Sequence, residues 1–184
     1  MSLLICDTNV IFDLIAGNLL RENLLRSTPL YVPRPLFENE MSQEHGSLEM
    51  AKVNLLSWDD RHQAFLEDLM REYLLLGRQL RKRIHRVVPK TQKCLALWEV
   101  MLREESILLT GDKVLREQAR RHGVKVHGTL WLVGLWYHRE LLDIQEVMIA
   151  FDRMKRAGRR QPWTKIKRIL ERWDKVDGER LSPI

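Results

Sequence analysis

Two short apolar runs decide the fold class. Leu3–Cys6 ends in Asp7-Thr8-Asn9, Ile107–Leu109 ends in Thr110-Gly111-Asp112, and each passes directly into a helical pattern. An unbroken apolar run reads as a strand covered on both faces, and a strand followed at once by a helix feeds a parallel neighbour. The second run continues through a helix at Lys113–His122, with Gly123 as its stop, into the apolar Val124–Val126. Further strands are expected at Tyr31-Val32, closed by Pro33 and Pro35, and more weakly at Leu55–Trp58. Helical patterns cover 19–27, 35–44, 60–83, 92–104, 129–137, 144–157 and 163–174. Strands alternating with helices predict an α/β fold of three layers, α/β/α, around a central parallel sheet. The expected organisation is one domain over 1–133 with a basic helical C-terminal extension over 134–184 packed on it.

Composition narrows the class further. With 184 residues, 45% of them hydrophobic, the chain can bury a real core and is not a disordered protein. No apolar run approaches the roughly 18 residues a membrane helix needs. The start meets Asp7 early and lacks a basic leader, so no signal peptide is expected. Cys6 and Cys94 both lie in apolar stretches and read as buried free thiols, which suits a cytoplasmic protein.

Charge is distributed unevenly. Residues 78–93 hold seven basic residues and no acid, and residues 153–175 hold ten basic residues against Glu171 and Asp174. The rest of the chain carries 14 basic and 23 acidic residues. An acidic body with two basic segments points to a polyanion, with Arg81, Lys82, Arg83, Arg86, Arg159 and Arg160 as candidate RNA-binding residues. Trp163 and Trp173, set among the basic residues of the second segment, are candidate base-stacking groups.

In an open parallel sheet the ligand site lies beyond the carboxyl ends of the strands. Asp7 and Asp112 are both expected there, on the same sheet edge. Gathered carboxylates repel unless a hard cation sits among them, which points to Mg²⁺ or Mn²⁺. A strand-end aspartate can also serve simply as the N-cap of the next helix. A third acid is expected from the helix after Pro33 and Pro35. Glu40 shares the face of Leu36 and Phe37, whereas Glu38, the alternative, is turned about 200° from it.

These segments together resemble the PIN-domain family, nucleases that include the ribonuclease toxins of bacterial toxin–antitoxin pairs. The likeness rests on Leu4-Ile5-Cys6-Asp7-Thr8-Asn9-Val10, the proline-led helix from Pro33 to Met41, and Ile107 to Arg116. It continues through Val126–Leu132 and Gly158-Arg159-Arg160-Gln161-Pro162, so it spans essentially the whole chain. The resemblance implies a PIN-like fold, catalytic and metal-ligating roles for Asp7, Glu40 and Asp112, and supporting or substrate-contacting roles for Thr8, Asn9 and Thr110. It also implies a homodimer and, for the toxin type, an antitoxin protein partner. In one place the chain departs from the family. Where PIN domains usually carry a further aspartate, the segment reads Lys93-Cys94-Leu95-Ala96-Leu97, so Lys93 replaces an acid and is itself a candidate substrate contact. The function expected is a divalent-metal-dependent endoribonuclease. The alternative is a catalytically lapsed PIN domain that binds RNA or a partner protein without cutting.

Overall fold

Five parallel strands, β1 (Leu3–Cys6), β2 (Leu30–Pro33), β3 (Asn54–Leu56), β4 (Ser106–Leu109) and β5 (Val126–His127), form one sheet in the order β3-β2-β1-β4-β5. The structure is a computed structural model that describes residues 2–38, 52–57, 63–80 and 94–181. The central pair is in register from Leu3 opposite Ser106 to Cys6 opposite Leu109. Ile5 and Cys6 point to opposite faces of β1 and both are fully buried, as are Leu108 and Leu109 on β4. Burial on both faces is what an unbroken apolar strand requires, and the layers are those of a three-layer α/β/α fold.

The helices are α1 (Thr8–Ala16), α2 (Glu22–Ser27), α3 (Arg34–Leu36), α4 (Gln63–Gln79), α5 (Leu95–Met101), α6 (Lys113–Arg121), α7 (Thr129–His138), α8 (Ile144–Arg156) and α9 (Trp163–Leu181). α5 packs across β1, β2 and β4, α4 packs on α6, and α1 packs on α7 and α8. Asp143 and Glu146 form a capping box that starts α8. Gly17 ends α1 where α8 comes close: a Cβ there would lie 2.6 Å from Met154 Cε. Among the described residues no helix is long and apolar enough to cross a membrane.

Several boundaries differ from the sequence expectation: the helix expected over 19–27 begins at Glu22 and the one expected over 92–104 ends at Met101, and two further differences lie at the last strand and the last helix. The last strand begins at Val126 instead of Val124. Gly123, at φ +69°, donates its N–H to Arg120 O, and Val124 donates to Ala119 O, so both residues are consumed in closing α6. The final helix runs to Leu181, past the expected end at 174. Cys6 and Cys94 are buried and unbridged, as their apolar settings suggest.

Candidate active site

The strand order reverses between β1 and β4, so the crevice beyond their carboxyl ends is the topological switch point of the sheet. β1 delivers Asp7 to this crevice and β4 delivers Thr110, followed by Gly111 and Asp112. Both aspartates occupy helix N-cap positions, at α1 and α6. Only one of them caps. Asp112 Oδ1 accepts the N–H of Val114 at 2.7 Å and of Leu115 at 3.1 Å. Asp7 makes no capping bond to its helix. Its side chain, 2% exposed, accepts from Asn9 Nδ2 at 3.0 Å and from the Thr110 hydroxyl at 2.9 Å, both at Oδ2. Thr8 Oγ1 stands 3.4 Å from the other oxygen.

Thr110 joins the two acids. Its Oγ1 accepts the backbone N–H of Asp112 at 3.0 Å while donating its proton to Asp7. The three residues therefore form one hydrogen-bonded unit across two strands, rigid because Thr110 is fully buried. Thr8, Asn9 and Thr110, the polar residues that accompany the aspartates in the sequence, all reach Asp7.

Tyr73 is the member of this site that the sequence did not disclose. Its position on the apolar stripe of α4 reads as core, and the ring is indeed buried. Its hydroxyl, however, donates to Asp112 Oδ2 at 2.7 Å. Burial first, then the charge and hydrogen bond of Asp112, push the Tyr73 hydroxyl well above its usual range, so it remains a proton donor. The only advance signal is the residue type, since a buried tyrosine hydroxyl usually finds a partner.

Below the same α4 segment, Gln118 of α6 is fully buried and donates to Leu69 O at 2.7 Å and Glu72 Oε2 at 3.0 Å. Cys94 Sγ donates to Gln118 Oε1 at 3.5 Å, and His122 meets Glu72 at 2.7 Å. This network fixes α4, and with it Tyr73, against α6. Glu99 is buried and ion-paired with Arg103 one turn on.

A cleft of about 1150 Å³ opens from Thr110 and Asp112 and continues along α7 to α9. Arg160 is exposed on its wall, as a polyanion contact requires. Arg159 has a different partner from the expected phosphate: Nε donates to Asp13 Oδ1 at 2.7 Å, and another guanidinium nitrogen donates to Asn9 O at 3.1 Å. Asp13 also accepts from Thr129 at 2.6 Å and from Gln161. Trp163 packs against the core on the other side of α9, beside Phe151 and Leu170. Trp173 stacks on Tyr137 at 4.4 Å and lines the cleft.

Glu38 is exposed and lies 3.6 Å from Arg34. Glu40, Lys93, Arg81, Lys82, Arg83 and Arg86 lie outside the described residues. Among the described residues no group of three or more histidine, cysteine or acidic side chains is arranged to hold a metal. What they do contribute is two carboxylates and a hydroxyl, all hard oxygen donors of the kind Mg²⁺ and Mn²⁺ take. Among the described residues Asp112 Oδ2 has Tyr73 as its one hydrogen-bond donor, and a carboxylate oxygen carries two acceptor sites, so ligating capacity remains there. The donor set fits a hard cation.

In comparison with known protein families, residues 3–175 match the family model of the PIN domain. No curated protein matches the sequence.

Proposed function

From the premise that the chain belongs to the PIN-domain family, whose function is of the nuclease type, we propose that it is a divalent-metal-dependent endoribonuclease. The observation that carries this reading is the Asp7–Thr110–Asp112 unit at the switch point of the sheet, which meets the cleft through Thr110 and Asp112. Asp7 and Asp112, with Glu40 by resemblance, would hold Mg²⁺ or Mn²⁺. Such an ion, when bound, supplies activation of a water for attack on a phosphodiester and neutralisation of the charge that develops there.

The chain's own residues prepare the site. Thr110 and Asn9 hold the Asp7 carboxylate in one orientation, and Tyr73 does the same for Asp112. Orientation fixed before the reaction costs no reorganisation during it. Lys113 and Arg116, on the first turn of α6, line the cleft beside the acids and are placed to hold a phosphate.

The likeness to ribonuclease toxins extends the proposal to a cytoplasmic toxin acting as a homodimer and held in check by an antitoxin protein. Lys93, where the family carries an acid, would weaken metal binding without abolishing it, because an ammonium opposes a dication.

The test is incubation of the purified protein with a labelled RNA pool in Mg²⁺, in Mn²⁺, and in EDTA. Cleavage in metal that EDTA stops is the expected result. Intact RNA under all three conditions would refute the endoribonuclease reading, and retention of RNA without cleavage would favour a binding domain.

A further inference from the structure

The cations of α6 and α9 differ in their partners. On the outer side of α6, Arg120 and Arg121 lie 3.5 and 3.6 Å from Glu117, and on α9 Lys167 lies 3.9 Å from Glu171. On the cleft side of the same helices, Arg116, whose guanidinium donates to Thr110 O at 3.1 Å, and Lys165 have no carboxylate within 4 Å among the described residues. The same holds for Lys113 and Arg160, which also line the cleft. Four cations lining one cleft, none of them paired with a carboxylate there, favour an anion in it.

Planar groups share that cleft. Trp131 stacks on His127 with ring centres 4.2 Å apart and planes 12° from parallel. Trp173 lines the cleft too, but Tyr137 stacks on it, His138 packs edge-on, and Gly134 lies so close that a Cβ there would come within 3.1 Å of Cη2. Trp173 is thus a wall, held in place by packing. Trp131 is half-buried and has His127 as its one ring partner among the described residues. Burial, and then the charge of Arg116, hold the His127 pKa below its usual value, so at neutral pH the Trp131 ring rests on an uncharged imidazole.

An acidic peptide or a polyphosphate would use the cations and ignore the ring. In a duplex the bases already bury their faces against one another. An anionic chain with free planar faces is an unpaired polynucleotide strand. We propose that Trp131, backed by His127, is a stacking platform for one unpaired base of the bound strand, with Lys113, Arg116, Arg160 and Lys165 holding its phosphates. This deepens the nuclease reading and rests on it for the class of ligand.

The test measures binding of a short fluorescent oligoribonucleotide to the full chain in EDTA, beside the same backbone made abasic throughout. Trp131→Leu is expected to weaken the base-bearing strand by about 5- to 100-fold and to leave the abasic strand unchanged. Trp131→Phe should restore most of the loss. Arg160→Gln and Lys165→Gln should weaken both ligands alike. Should Trp131→Leu not fold, 2-aminopurine placed along the strand still reads stacking in the wild type, through quenching at one position on binding. Equal weakening of both ligands, no weakening by Trp131→Leu, no quenching, or no binding by the wild type would each overturn the platform. Cleavage in Mn²⁺, measured separately, distinguishes the two readings. A wild type that cleaves while Trp131→Leu binds normally loses only the platform, and one that binds through Trp131 without cleaving loses only the nuclease.

Discussion

Asp13 on α1 and Arg159 in the turn before α9, 146 residues apart in the chain, form an ion pair with Nε 2.7 Å from Oδ1. The carboxylate side chain is 4% exposed and the guanidinium 27%. Thr129 and Gln161 complete the carboxylate's hydrogen bonds, and Arg159 also lies over the Phe12 ring, 5.6 Å from its centre. One buried acid therefore ties α1, the helix that begins at Asp7, to the start of α7 and the 157–162 turn. That tie fixes Arg160 and Gln161 on the wall of the cleft.

Asp13→Ala should destabilise the protein by roughly 2–4 kcal/mol, because it strands a partly buried guanidinium and two further donors. Urea unfolding measures this directly. Arg159→Gln should behave in the same direction, whereas Arg160→Gln should leave stability within about 0.5 kcal/mol. The RNA-binding readout separates the neighbours the other way. Arg160→Gln should reduce the slope of log affinity against log salt by about 0.7 for a single strand. A similar slope change for Arg159→Gln, without loss of stability, would contradict the ion pair's role.

Asp7→Asn and Asp112→Asn should each abolish metal-dependent cleavage. Asparagine caps helices as well as aspartate does, so Asp112→Asn should cost no more than about 1 kcal/mol of stability. Asp112→Ala removes the cap as well as the charge and should cost about 1 kcal/mol more. Cleavage assays paired with thermal melts check both halves, and a fully active Asp7→Asn enzyme would exclude this carboxylate from the site.

The Glu72–His122 contact predicts a particular acid limb. Burial raises the Glu72 pKa, but the hydrogen bonds from His122 and Gln118 and the charges of His122 and Arg121 outweigh it, leaving the carboxyl below its ordinary 4.5. A folded-state pKa below the unfolded one contributes stability that is complete above about pH 4.5 and is lost as pH falls through the lower value. The melting temperature of the wild type should therefore exceed that of Glu72→Gln near pH 7, and the gap should narrow steadily below pH 4.5. A gap that widens in acid would reverse the assignment.

Lys93→Asp should tighten Mn²⁺ binding and speed cleavage, since a hard cation gains from each added oxygen ligand and loses an opposing ammonium. Calorimetric metal titration and initial cleavage rates test the two effects independently. Weaker metal binding or slower cleavage would make Lys93 a working phosphate contact.

Local pattern determined much of this protein. An apolar run that stops at Asp7, another that stops at Thr110-Gly111-Asp112, and glycine at 123 each depend on residues within one or two turns, where helix period, strand burial and capping act. Hence the strands, the sheet type and the two strand-end acids were legible from the chain alone. Even the late start of β5 follows from the closure of α6 at Gly123 and Val124.

Tertiary structure decided what those acids do. Both aspartates have the local setting of an N-cap, yet only Asp112 caps, because Asp7 is claimed by a Thr110 hydroxyl 103 residues away. Tyr73 reads as one more core residue of α4 until β4 brings Asp112 to its hydroxyl. Arg159 and Arg160 are adjacent and chemically identical, and only the packing of α1 under the turn makes one a half-buried partner of Asp13 and leaves the other exposed. Hydrophobic periodicity records which face of a segment is buried, but not which distant polar atom waits on the other side. That choice is made when the sheet order brings segments more than a hundred residues apart to within the reach of a hydrogen bond.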